Sequence, residues 1–227
     1  MDAKLISRFA IRETMDILFM GMALFWSAGE IGWWPAWALI AVTTAWSIAT
    51  AVVILRHRPD LLAERLGPRK GAKRWDTTIM GVRGILQLAV YLVAGLDHRY
   101  AWSADFPAAV QTAALVVCSL GYGLVVWATA SNAFFSLIVR IQTERDHSVV
   151  TAGPYRYVRH PAYAGALLTI PSVPILLGSW WALLIGVVDL ALMIVRTALE
   201  DRTLQAELPG YPEYVLKVRH RLVPGLW

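Results

Sequence analysis

The stretch GPYRYVRHPAYAG at residues 153–165 runs without a break into ALLTIPSVPILLGSWWALLIGVVDLALMIV at residues 166–195. Two arginines, a histidine and three tyrosines thus abut thirty residues whose single charge is Asp189. So dense a polar cluster is costly beside hydrocarbon and implies that it has work to do. The apolar part is interrupted by Gly178-Ser179, which reads as the tip of a tight helical hairpin; Pro171 and Pro174 are expected to kink or thin its first arm.

Working outward, six apolar runs are legible: about 16–31, 35–55, 77–96 and 106–130, then the two hairpin arms at about 162–178 and 180–195. Most approach the roughly 20 residues that cross a bilayer as helix. Composition agrees, because 57% hydrophobic and 16% charged residues, with mean hydropathy +0.52, leave more apolar surface than a soluble chain of 227 residues can hide. The expected fold is all-α, a polytopic membrane helical bundle of five to six transmembrane helices with a C-terminal helical hairpin. Residues 1–131 would supply the N-terminal transmembrane helices and residues 132–227 the functional region, within a single integral membrane domain. The first run lacks a small-x-small cleavage site and is followed at once by another span, so it is not read as a signal peptide. Trp33, Trp34, Trp37, Trp75, Trp102, Trp180 and Trp181 fall near run ends, where interfacial anchoring is their ordinary use.

Lys and Arg alternate sharply along the chain. Three precede the first run, none separates the first two, seven lie in residues 56–75, then come one, four, none and five. The positive-inside rule places both termini, the 56–75 loop and the 153–165 cluster on the cytoplasmic side. That loop, broken at Gly67-Pro68, is a topology determinant that can also meet anionic lipid headgroups. Loop basicity of this kind accounts for the net charge of +5 and argues against a nucleic-acid partner. Cys118 is a lone thiol in an apolar run. His57, His98, His147, His160 and His220 form no i, i+4 pair, so no metal site is read.

Two charges lie deep within predicted spans, Arg83 and Asp189, each about seven residues or roughly 10 Å from the cytoplasmic end of its helix. Equal depth makes them candidate partners, and Gln87 extends the stripe one turn from Arg83. On the last span Asp189, Arg196 and Glu200 follow at spacings of seven and four, which puts all three on one inward face.

Four motifs occur in order. Gln142 to Val150 lead into Thr151-Ala152-Gly153-Pro154-Tyr155; Arg159-His160-Pro161-x-Tyr163-x-Gly165 follows; Arg196-Thr197-Ala198-Leu199-Glu200-Asp201 comes next; Tyr211-x-x-Tyr214 with Arg221-Leu222-Val223-Pro224 closes the chain. Together they resemble the isoprenylcysteine carboxyl methyltransferase and phospholipid methyltransferase group of integral membrane enzymes, over residues 132–227. The resemblance implies S-adenosylmethionine as cofactor, with S-adenosylhomocysteine as product, held by a cytoplasmic segment and not by a Rossmann domain. Gly121-Tyr122-Gly123 sits in a span and reads as close helix packing. By the same resemblance Gln142, His147, Ser148, Val149, Val150, Tyr155, His160, Pro161, Ala162, Tyr163 and Glu200 contact the cofactor, and Arg196 meets the substrate's anionic group. Arg196 and His160 are the catalytic candidates. The second acid is Asp201 where the family often has Glu.

Residue chemistry fits this cofactor independently. A sulfonium, an amino acid end, ribose hydroxyls and an adenine face call for an acid, hydrogen-bonding groups and aromatic walls. Pro161 after His160 starts a helix where its missing N–H costs little. The expected acceptor is a lipophilic small molecule or lipid, most simply a carboxylate that needs no base. An amine (phospholipid N-methylation) or a thiol would bring in His160 or Glu200 as base. A transporter is the non-enzyme alternative, although no paired half-repeat of broken helices is seen.

Overall fold

The computed structural model of the chain describes residues 3–57, 59–66, 71–104 and 106–227. Among them are eight α-helices and no strand: α1 (Ala3–Ala28), α2 (Trp34–His57), α3 (Asp60–Leu66), α4 (Arg74–Tyr100), α5 (Ala108–Ser131), α6 (Pro161–Leu176), α7 (Trp180–Glu207) and α8 (Tyr211–Lys217). Four of them, α2, α4, α5 and α7, are long and apolar enough to cross a membrane. The protein is an integral, multi-pass membrane helical bundle, and its exposed Leu, Ile, Val and Trp side chains along these helices are the surface that lipid covers.

Helix ends depart from the apolar runs in informative ways. Helix α1 starts at Ala3 instead of near residue 16, because its polar first half packs Phe9 against Ile54, Leu61 and Leu62. Helix α6 has only 16 residues, too short for a full crossing at 1.5 Å per residue. Helix α7 runs on past the apolar run to Glu207, carrying Arg196, Glu200 and Asp201 on the same rod as Asp189. The basic loop after α2 contains α3, anchored by buried Leu61 and Leu62; Arg58, Gly67 and Pro68 lie outside the described residues.

The α6–α7 hairpin turns as expected. Gly178 adopts φ 74°, and Ser179 caps α7 by accepting from Ala182 N at 3.0 Å while donating to Asp97 Oδ2 at 2.5 Å. Helices α5 and α6 approach so closely that a Cβ on Gly121 would lie 2.7 Å from Gly165 O, and one on Gly165 would lie 2.6 Å from Gly121 O. Gly123 has open space around it, so close packing belongs to Gly121 alone. Across α4 and α7, Arg83 Nε and Nη2 reach Asp189 Oδ1 and Oδ2 at 2.6 and 3.1 Å, the interhelical pair their equal depth predicts. Trp34, Trp37, Trp102, Trp180 and Trp181 are exposed near helix ends; Trp33 is instead buried, stacked on His98 at 4.7 Å.

Candidate active site

The site grows from three segments that the fold draws to one end of the bundle: the 132–150 connection after α5, the turn before α6, and the last turns of α7 with α8. Asn132 opens the first segment by accepting Phe134 N at 2.8 Å on its side-chain oxygen. Gln142, fully buried, fixes the segment's shape: its Nε2 donates to Phe134 O at 2.7 Å and its Oε1 accepts from Arg145 Nη1 at 2.6 Å. His147 then lies against the Phe134 ring, 4.6 Å between centroids. Burial, reinforced by the nearby positive charges of Arg145 and Arg140, pushes the His147 pKa below its ordinary value, so the ring is a neutral wall. Arg140 ties the segment to α3 through Glu64 Oε2 at 2.6 Å, and Ser136 Oγ donates to Glu64 Oε1 at 2.9 Å. Hydrogen bonding from Arg140 holds Glu64 below the usual carboxylate range.

Gly153 takes φ 58° where the chain crosses the end of α5; a Cβ there would meet Ser131 Oγ at 2.1 Å. This brings Tyr155 into the interior, its hydroxyl accepting from Asn132 Nδ2 at 3.1 Å and its carbonyl accepting from Tyr214 Oη at 2.5 Å. Burial pushes the Tyr155 hydroxyl above its ordinary pKa, so it stays a phenol. His160 is the residue before α6, and Pro161 begins the helix as anticipated.

Asp201 organises the centre. Fully buried, it accepts from Arg159 Nε and Nη2 (2.8 and 3.1 Å), His160 Nε2 (3.2 Å), Tyr211 Oη (3.0 Å), Arg221 Nε (2.9 Å) and Gln205 Nε2 (2.9 Å). Because an ionised carboxylate only accepts, this contact assigns the His160 Nε2 proton and leaves Nδ1 turned toward Glu200 Oε1, 4.0 Å away. Tyr163 stacks on His160 with the rings 2° from parallel and donates a short hydrogen bond to Glu200. Arg159 also donates to the carbonyls of Val218 and Arg219 at 2.8 and 2.7 Å, while His160 N donates to Arg221 O at 2.9 Å. The chain after α8 is thereby stitched onto the 153–165 motif.

Between these walls lies a cleft of about 790 Å³, counted to its open mouth. Of the residues anticipated from sequence, His147, Ser148, Val149, Val150, Tyr155, His160, Pro161, Ala162, Tyr163 and Glu200 all line it. Gln142 does not; it stands behind the wall and shapes it. Arg196 is not on the lining either. It is 4% exposed, donates from Nε to Asp76 Oδ1 at 2.7 Å and from Nη2 to Leu137 O at 3.0 Å, and its guanidinium lies 5.0 Å from the Tyr163 ring centre. Asp76, which also accepts Val139 N at 2.8 Å, went unnoticed in the sequence because an acid in the first turn of a helix is commonplace. Phe134, Tyr211 and Tyr214 add aromatic walls, and Leu204 and Leu208 add apolar ones. The donor set therefore fits the S-adenosylmethionine that the motif resemblance implies: one acid, hydroxyls and imidazoles, and flat apolar faces for a purine.

Comparison with known proteins follows this geometry. The family model of isoprenylcysteine carboxyl methyltransferases matches residues 112–206, a segment holding α5, the cleft-wall connection, α6 and almost all of α7. No curated protein matches the chain. A solved eukaryotic intramembrane Ras methyltransferase, isoprenylcysteine carboxyl methyltransferase without a monobody, superposes with a TM-score of 0.51 at 16% identity, over 95% of this chain and 86% of that one. Identity that low speaks for the shared fold.

Proposed function

We propose that the chain is a member of the isoprenylcysteine carboxyl methyltransferase family, whose model matches residues 112–206, and that it uses S-adenosylmethionine to methylate the carboxylate of a lipophilic, membrane-associated acceptor. The observation that carries the reading is the convergence of His160 and Glu200, 4.0 Å apart, on one cleft walled by all four sequence motifs. When bound, the cofactor supplies an electrophilic methyl on a sulfonium, and transfer to a carboxylate oxygen forms a methyl ester and leaves S-adenosylhomocysteine with no proton to move.

The residues' tasks are therefore binding, alignment and exclusion of water. Glu200 offers the acid for the cofactor's ammonium or ribose, and its tie to Tyr163 fixes where that acid points. Tyr155, His147 and Phe134 form the flat wall, with backbone groups at Ser148, Val149 and Val150 alongside. His160, held by Asp201, presents a fixed ring edge and is not needed as a base for an acceptor that is already ionised. Arg196, matched to Asp76, acts from beneath the lining by supporting Tyr163, a positioning role in place of the acceptor contact expected from sequence. The acceptor enters sideways from the bilayer and the cofactor from the cytoplasm, consistent with the cytoplasmic orientation expected from the Lys and Arg distribution.

The test is direct. Purified protein is incubated with methyl-labelled cofactor and a lipid extract, the labelled product is identified by mass spectrometry, and cofactor affinity is measured by calorimetry for wild type and Glu200→Gln. The expected result is an ester-labelled lipophile and cofactor binding weakened about tenfold or more in the variant, the scale of a lost charge-assisted hydrogen bond. Equal affinity in the two proteins would overturn the role of Glu200, and label on an amine headgroup would overturn the carboxylate.

A further inference from the structure

At the end of the bundle opposite the motif cleft lies a second cleft, of about 880 Å³ counted to its open mouth. It is bounded by the α1–α2 connection, the last turn of α4, the loop into α5 and the α6–α7 turn. Trp33, Trp34, His98 and Phe106 give it aromatic walls, and Asp97 and Gln111 give it polar ones. The methyl-transfer chemistry uses none of them.

Asp97 is 2% exposed, and its oxygens accept from neutral groups only. Ser103 N reaches Oδ1 at 2.7 Å, while Ser103 Oγ and Ser179 Oγ reach Oδ2 at 2.6 and 2.5 Å. A carboxylate has about four acceptor positions, so one on Oδ1 stays open. The adjoining basic side chains are committed elsewhere: His98 Nε2 meets Glu30 Oε1 at 2.8 Å, and Arg99 lies over the Tyr100 ring at 5.5 Å. Among the described residues no Lys, Arg or His forms an ion pair with Asp97, in contrast to buried Asp76, Asp189 and Asp201. A buried carboxylate without a counter-charge is costly, and a cation relieves that cost.

Gln111 adds a second acceptor. Its Nε2 donates to Leu176 O at 3.0 Å, which leaves Oε1 without a partner among the described residues. Ser179, which holds Asp97, follows Gly178, whose Cβ position lies 3.0 Å from Gln111 Nε2 and 3.9 Å from Phe106. Trp33 stacks on His98 at 4.7 Å, Phe106 leans on Trp180 at 4.7 Å, and Trp180 N donates to Ser103 Oγ at 3.0 Å. Contacts thus tie the acid, the amide and the rings into one wall. A carboxylate beside aromatic faces, with no counter-ion of its own, suits an organic ammonium. Its open lone pair and Gln111 Oε1 favour an ammonium that still carries N–H groups over a fully methylated one. Among the described residues no three His, Cys, Asp or Glu gather as metal ligands.

We infer that this cleft is a receptor for a primary ammonium group, carried by an ethanolamine phospholipid of the leaflet opposite the motif cleft. Exposed Trp34, Trp37, Trp102 and Trp180 stand at this end, the depth at which such rings meet lipid headgroups. Asp97 and Gln111 Oε1 accept from the ammonium, and Trp33, Trp34 and Phe106 supply the faces around it.

The experiment places the full chain in nanodiscs of equal dioleoyl phosphatidylethanolamine and dioleoyl phosphatidylglycerol, and native mass spectrometry reads which lipid the protein keeps on release. Wild type is expected to keep the ethanolamine lipid about tenfold over the glycerol lipid. Asp97→Asn, which retains an acceptor and removes the charge, is expected to abolish that preference. Trp34→Leu, at a half-exposed rim position, is expected to reduce it about threefold while leaving the Asp97 network in place. Soluble ethanolamine separates the two sources of the group: displacement of the lipid only at large excess supports the headgroup as occupant, whereas displacement at micromolar concentration overturns the lipid. Equal retention of the two lipids by wild type overturns the receptor. A purely structural Asp97 behaves differently, because Asp97→Asn then lowers the Tm and leaves the lipid preference unchanged, and that result also overturns it. If Asp97→Asn does not fold, the wild-type preference and Trp34→Leu still decide.

Discussion

Asp201 concentrates more of the site's order than any residue that touches the cleft. Two guanidiniums, an imidazole, a phenol and an amide converge on it without solvent. Asp201→Asn leaves Arg159 and Arg221 facing a neutral amide, and breaking a buried pair from one side costs about 3–5 kcal/mol. The expected outcome is a cofactor affinity reduced by at least an order of magnitude together with faster proteolysis after Lys217, checked by calorimetry and limited digestion. Cleft-lining residues such as His160, Tyr163 and Glu200 are legible because each sits in a compact sequence motif. The hub role of Asp201 is not, since its partner Arg221 is twenty residues away and reaches it only through the tertiary fold. The pairing of Arg196 is hidden for a related reason: spacing places it on the inward face, but its ion pair with Asp76 depends on a contact across 120 residues of sequence.

At the scale of the helices, hydrophobic periodicity located every long span but not where each one stops. Helix α7 continues twelve residues past its apolar run, and that extension carries the acids of the site. Helix propensity and a polar interior let the rod continue where hydropathy alone sees an end. Helix α3 was hidden because seven residues in a basic loop offer no periodic signal. The α4–α7 contact is pinned by Arg83 and Asp189, and it gives a clean double-mutant test. Asp189→Leu alone is expected to cost about 3 kcal/mol by leaving Arg83 unpaired, whereas Arg83→Met with Asp189→Leu recovers most of that loss. Thermal unfolding in detergent reads both.

The molecule as a whole is asymmetric end to end. One end holds the cleft, the tail and most of the basic loops; the other holds Trp33, His98 and the short α6–α7 turn. With the sole native Cys118 buried, single cysteines at exposed Lys217 and exposed Ile31 are expected to react with an impermeant maleimide from opposite sides, the first only from the cytoplasm. Reversal of that pattern would overturn the orientation. The stitching of residues 218–221 to Arg159 and His160 also bears on biosynthesis. Synthesis is vectorial, so the helices are threaded into the bilayer before the strap that braces Arg159 and His160 has been made. A nascent chain therefore gains its shape in the membrane first and the brace across its 153–165 turn last.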